Sequence, residues 1–420
     1  MKKIILIFLA VTSLFAIGKK LNTKIPPVRN IIIDIDPYEC LGSCLEEYLK
    51  NEMIFSFLAK AKESDYQQLF QKYALELNVE NERELAFDVL DQNQSDEYFD
   101  FEKKGSYVNI ALLVPQKVIG KYTLSITKSI LSYLIYKNSD FDFELFNCEN
   151  EEEESILNAL KEIKEKDYRY VIAPVTDKGA KIIVSNERDL QIYIPTVNKR
   201  NISYATSPNI YFGGLDYQKQ IDKLFEYANN KIVIFKDNSP ASSKISTYID
   251  EQFKNTVFTG TIENANTDYR SLIKRNYYLN DASIFLNTPL VKTSLIASQI
   301  RLYKIHPFVL LSTQINYHPL LLSLTQYQDR KNMLIANSID NKNFRLTDIN
   351  SVLNNDIRFD WINYSTSIGM DFFYTDFIDS FADERLFGES LLNNQVDYGV
   401  NIVKPYISEF IDYNDNDESF

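Results

Sequence analysis

From Tyr107 onward, short apolar runs alternate with longer amphipathic segments, a rhythm that few folds accept. YVNIALLV (107–114), FDFELFN (141–147) and RYVIAPV (169–175) are separated by helical stretches over about 121–137 and 151–166. Continuous apolar runs of this length suit strands buried on both faces, as in a parallel sheet covered by helices. Further strands are predicted at LQIYIPTV (190–197), KIVIFKD (231–237), NTVFTGTI (255–262), DASIFLNT (281–288), PFVLLST (307–313) and MLIANSI (333–339), with helices over 216–228, 241–254 and near 268–276. Two lobes of similar size account for this number of strands better than one open sheet. The expectation is an α/β chain whose residues 105–408 form a two-lobed domain of parallel sheets flanked by helices.

The segments before and after that domain differ in kind. Lys2 and Lys3 precede an unbroken apolar stretch from Ile4 to Phe15, with small residues at Ala16 and Gly18, the pattern of a secretory signal peptide over 1–18. The stretch is shorter than the ~20 apolar residues of a transmembrane helix, and no lipid-attachment cysteine follows it. The expected location is the periplasm. Residues 19–37, with Pro26, Pro27 and Pro37, read as an extended arm. Leu41, Leu45, Leu49, Leu58, Leu69 and Leu77 recur at helical intervals, so 38–104 is expected to be a small helical module followed by an acidic linker. Residues 409–420 carry too little apolar pattern to pack and are expected to form a disordered acidic tail. A formal charge of −13 argues against nucleic acid and favours a neutral or basic partner.

Few residues here are equipped for catalysis or metal binding. Cys40 and Cys44 can pair in an oxidising compartment, where a helix starts or bends; Cys148 reads as a buried thiol at a strand end. His306 and His318 each precede a proline and lack metal-ligand spacing, and no GxSxG nucleophile motif is present. Neither an enzyme, a metal site nor a cofactor is expected. The block Glu151–Glu154 reads as a solvated first helical turn, where negative charge suits the helix dipole.

The order YVNIALLVP, RYVIAPVTDKGAK, IYIPTVN, SPNIYFGGLDYQKQIDKLFEYA, KIVIFKD resembles the first lobe and crossing of type I periplasmic-binding proteins, the leucine-binding-protein-like families among them. Ala173 stands where that family has glycine before Pro174, Thr176 where it has a hydroxyl residue, Pro195 in its Ile-Pro, and Gln218 or Gln220 at its glutamine. INYSTSIGMDFFYTDFI (362–378), with Ser367, Gly369, Asp371 and Tyr374, is similar to the final helix of the lipoprotein activators of penicillin-binding proteins, as is IPTVN ending in Asn198. The loop PQKVIGKY departs from the family's glycine-rich run, with Gln116, Lys117 and Ile119 in its place.

The resemblance implies an interlobe cleft for a small molecule, with Gln116, Thr176, Asp177 and Asn198 as candidate ligand residues. Thr176 and Asp177 follow a strand's carboxyl end, where open parallel sheets bind ligands; there they either hold a ligand ammonium or cap the next helix. Gly213 and Gly214 are expected to turn the chain between lobes. Phe372, Phe373, Tyr374 and Phe377 read as core or as a partner groove. The functional expectation is a non-catalytic periplasmic component of the cell envelope that binds a protein partner, such as a peptidoglycan synthase, in the manner of the penicillin-binding protein activators. The alternative is a solute-binding protein capturing an amino acid, peptide or similar small molecule for a transporter.

Overall fold

The computed structural model describes residues 43–50, 57, 60, 61, 105–203, 207–254, 256–263, 267–379 and 385–413. The chain divides into a unit at 1–100 and a unit at 101–420. In the first, Ser43–Lys50 is a helix, Leu45 is buried and Cys44 is disulfide-bonded. The signal-peptide and arm expectations, Cys40, and most of the helical module and linker lie outside the described residues.

The second unit builds two seven-stranded sheets. In lobe 1 they are β1 (Gly105–Val114), β2 (Ser139–Asn147), β3 (Tyr170–Ile172), β4 (Gln191–Ile194) and β5 (Ile210–Phe212), all parallel in the order β5-β4-β3-β1-β2. Lobe 2 repeats the plan with β6 (Ile232–Lys236), β7 (Thr256–Thr261), β8 (Ser283–Asn287), β9 (Val309–Ser312) and β10 (Met333–Asn337). The remaining strands come late in sequence. β11 (Ser390–Leu392) and β12 (Gln395–Asp397) extend sheet 1 beyond β5, and β13 (Asn401–Pro405) and β14 (Phe410–Asp412) extend sheet 2 antiparallel beyond β10. β14 thus lies inside the segment expected to be a disordered tail: Ile411 and Phe410 pair with Lys404 and Pro405 and give it backbone partners.

Both faces of each sheet are covered, which is why the strands read as continuous apolar runs. In lobe 1, Ile110 and Leu112 face the helices Thr123–Tyr136 and Trp361–Phe373, while Ala111 and Leu113 face Glu153–Glu165 and Asp177–Asn186. In lobe 2, Val233 and Phe235 meet the helix Leu290–Leu302, and Ile232 and Ile234 meet Tyr217–Phe225 and Pro240–Gln252. Each such fully buried aliphatic side chain contributes about 1.5–3 kcal/mol. The helix Trp361–Phe373 is buried all round from Asn363 to Phe373, and its polar residues Ser365, Ser367 and Asp371 are hydrogen-bonded within the chain. Phe372, Phe373 and Tyr374 are accordingly core, and only Phe377 is exposed.

Candidate functional site

The carboxyl ends of β3 and β4 face lobe 2, and the loops there carry most of the expected ligand residues. Thr176 is the N-cap of the helix Asp177–Asn186, its Oγ1 accepting from the Lys178 amide at 3.3 Å. The free N–H groups of a helix start favour an anion. Here the chain supplies that anion itself. Glu151, 4% exposed, accepts from the Thr176 amide at 2.6 Å, from the Thr176 hydroxyl, and from the Gly179 amide at 3.3 Å. This corrects the reading of Glu151 as a solvated residue in the first turn of its own helix. That helix starts at Glu153, and Glu151 turns inward to cap the next one. Gly179 makes room for it, since a Cβ there would lie 2.9 Å from Glu151 Oε1.

The other candidates also have partners within the chain. Asp177 accepts from Asn201 Nδ2 at 3.1 Å and stands 3.5 Å from Lys244 Nζ, which comes from lobe 2. That pair bridges the lobes in half-exposed surroundings, where such pairs contribute under ~1 kcal/mol. Asn198 caps the short helix Lys199–Asn201 through the Arg200 amide and donates to the Gly214 carbonyl at 3.1 Å. Gln116 lies in the helix Gln116–Ile119 and accepts from Thr123 Oγ1 at 3.1 Å, at the surface. Thr176, Asp177 and Asn198 thus share one rim; Gln116 belongs to the loop after β1. On lobe 2, Asp237 is paired with Lys292 at 2.8 Å and accepts from Ser239.

Gly213 and Gly214 stand where the chain leaves lobe 1 for the first crossing, and both serve close approach there. A Cβ on Gly214 would lie 2.1 Å from the Val197 carbonyl carbon and 2.2 Å from the Asn198 nitrogen; one on Gly213 would lie 2.1 Å from the Tyr193 hydroxyl. Around them Tyr398 donates to the Gly213 carbonyl at 2.7 Å and Ser365 to the Pro195 carbonyl at 3.0 Å. Trp361 packs edge-on against Tyr398 with centroids 4.4 Å apart. The chain crosses between lobes at 213–231, 338–343 and 397–401, and the first and last of these crossings meet this cluster.

Two carboxylates belong to the same region, Asp371 buried and Glu389 partly buried. Asp371 accepts from Tyr133 at 2.8 Å and from the Leu386 and Phe387 amides at 2.7 and 3.2 Å; Glu389 accepts from the Tyr364 hydroxyl. Burial pushes both above the usual carboxylate range, against these hydrogen bonds. A raised native value means that the folded state holds the proton more tightly than the unfolded chain. That share of stability is fully present below the unfolded value of roughly 4 and is lost as pH rises through the native one. The Asp371→Asn/Glu389→Gln double variant should therefore gain melting temperature relative to the parent as pH rises from about 4 to 7. A difference that stays flat or shrinks over that range would remove the assignment.

Cys148 is free and buried just past β2, and burial pushes its thiol up to about 11. Sequence reasoning missed Glu151: its partners lie 25 and 28 residues away, and nothing local separates it from Glu152 or Glu153.

Two lobes of helix-covered parallel sheet, three crossings and a rim of loops at the strand carboxyl ends define the type I periplasmic-binding-protein fold. Solved structures of that fold superpose on this chain. A putative branched-chain amino acid ABC transporter protein from Rhodospirillum rubrum is 6% identical with a TM-score of 0.57, covering 73% of this chain and 100% of its own. The leucine-binding protein LivK from Thermotoga maritima is 13% identical with a TM-score of 0.52, covering 73% and 98%. LpoA from Haemophilus influenzae is 10% identical with a TM-score of 0.50, covering 89% and 73%. No family model and no curated protein matches the chain. Among the described residues no helix is long and apolar enough to cross a membrane.

Proposed function

We propose that this chain is a non-catalytic, exported component of the cell envelope that uses a binding-protein scaffold to contact another protein. The observation that carries the reading is Glu151: the helix start that would receive a ligand's anionic group is filled by the chain's own carboxylate. Thr176, Asp177 and Asn198 are engaged in capping and inter-loop bonds around it, which leaves them few valences for a solute. LpoA, one of the structural neighbours, is a regulator of PBP1A. An envelope partner of that kind, a peptidoglycan synthase, is the form we propose here.

A second reading, solute capture for a transporter, draws on lobe 2. Asn287 Oδ1, Thr313 Oγ1, Gln314 Nε2 and Asn316 Oδ1 are buried without a hydrogen-bond partner near the carboxyl ends of β8 and β9. Buried polar atoms of this kind are normally satisfied, by water or by a ligand. A thermal-shift screen against amino acids, short peptides, nucleosides and muropeptides separates the two readings. A ligand at a hundredfold excess over its dissociation constant stabilises the folded state by ~2.7 kcal/mol, a visible shift. A flat response across the panel is expected; a rise of several degrees abolished by Asn287→Ala or Thr313→Ala would replace the first reading with the second.

A further inference from the structure

The pole of lobe 2 opposite the cleft carries exposed apolar side chains together with more cations than anions. It is made by the loops entering β8, β9 and β10 and by the turn between β13 and β14. Tyr277 is 69% exposed, Phe308 53%, Leu302 63% and Ile407 60%. The loops are held side by side: the Asp281 amide donates to the His306 carbonyl at 2.8 Å, the Phe308 amide to Ala282 at 3.0 Å, and Asn332 Nδ2 to the Pro307 carbonyl at 3.3 Å. Buried Arg330 then donates to the Tyr406 and Ile407 carbonyls, both at 2.8 Å, and fixes the outermost turn. Four adjacent strand ends at ~4.8 Å spacing make the patch about 15 Å wide.

Its charge runs against the whole. Residues 274–282, 303–308, 331–332 and 406–409 contain Lys274, Arg275, Lys304 and Lys331 against Asp281 and Glu409, four cations to two anions in a chain of net −13. Exposed aromatic side chains and an arginine are residue types enriched at protein interfaces, and charged groups around them suit the polar rim of one. Complementary charge then selects the partner and speeds its approach.

We propose that this pole docks a protein partner through a segment whose apolar side chains are flanked by carboxylates. The proposal rests on the protein-interaction reading above and gives it a surface and a partner chemistry. Because these loops and the turn are tied together by backbone bonds and by Arg330, the surface is preformed and binds without prior rearrangement.

The test places a photo-crosslinking phenylalanine analogue at Tyr277, Phe308 or Ile407 of the full chain in the cells that make it, with the exposed Leu124 and Phe344 as controls. The expected result is one adduct shared by the three pole positions and absent from both controls, with the captured peptide rich in Asp and Glu around apolar residues. The Arg275→Glu/Lys304→Glu variant alters exposed side chains only, should melt like the parent, and should cut that adduct at least tenfold. Adducts as strong from Leu124 or Phe344, a captured peptide without acidic character, indifference to the charge reversal, or an adduct with a second copy of this chain would each overturn the docking assignment and leave the broader reading standing. No adduct from any of the five positions would overturn both.

Discussion

Glu151→Ala should lower the melting temperature more than an alanine at Gln116, Asp177 or Asn198. Three donors, the Thr176 amide and hydroxyl and the Gly179 amide, lose a buried acceptor at once. Hydrogen bonds to charged groups contribute ~1.5–3 kcal/mol, and stranded buried donors add to the cost, so a loss of about 3 kcal/mol is expected. For a domain of this size that corresponds to roughly 4–5 °C. Glu151→Gln keeps one acceptor oxygen and should lose about half as much. The alanine variant opens a space lined by the same donors, so acetate or formate should restore part of the lost stability in proportion to its concentration. Calorimetry with and without added carboxylate reads both effects. An alanine variant that melts within a degree of the parent would mean that the carboxylate is solvated, and the self-occupied site would be lost with it.

The second large effect is expected at Gly214. An alanine Cβ would meet the Val197 and Asn198 backbone, which cannot swing aside as a flexible side chain can. The Gly214 amide also donates to the Val197 carbonyl at 3.0 Å, so the two segments are held together at the point of conflict. Overpacking of this kind costs ~1–3 kcal/mol, and more where only backbone can yield. We expect Gly214→Ala to lose about 3 kcal/mol or to accumulate poorly, whereas alanine at the open Gly399, where a Cβ meets nothing within 4 Å, should be neutral. Equal behaviour of the two variants in denaturant unfolding would contradict the close-approach account.

Most of the scaffold was legible in the sequence where burial is two-sided. β8 and β10 are buried along their whole length and β1 from Ile110 to Val114, so their apolar runs IFL, MLIA and IALLV stand out without neighbouring context. β5 and β11 to β14 are only three to five residues long, several with exposed faces, and gave no comparable signal. The helix Leu290–Leu302 was not anticipated for a different reason: Val291, Leu295 and Leu302 are exposed and apolar while Ile296, Ala297 and Ile300 are buried and apolar, so no hydrophobic periodicity remains to be read. At the rim, Thr176 and Asp177 were located correctly at a strand's carboxyl end, and capping was one of the two roles open to them. Thr176 is the cap, and the carboxylate that joins it there, Glu151, is brought in by tertiary folding and leaves no local signal.

The order in which the strands appear along the chain has a consequence for how the protein matures. Sheet 1 takes its strands from 105–212 and again from 390–397, and its central helix from 361–373; sheet 2 takes strands from 232–337 and again from 401–412. A chain emerging from its amino end therefore holds neither lobe complete until residues 390–412 are available. Both lobes close together, once those residues arrive, with the edges at β5 and β10 waiting for β12 and β13. Such intermediates are the ones that attract chaperones. A nascent chain stopped near residue 340 would thus carry two open sheets rather than one finished lobe and one absent one, and neither lobe can be cut out and expressed alone without lending it the strands that arrive from the far end.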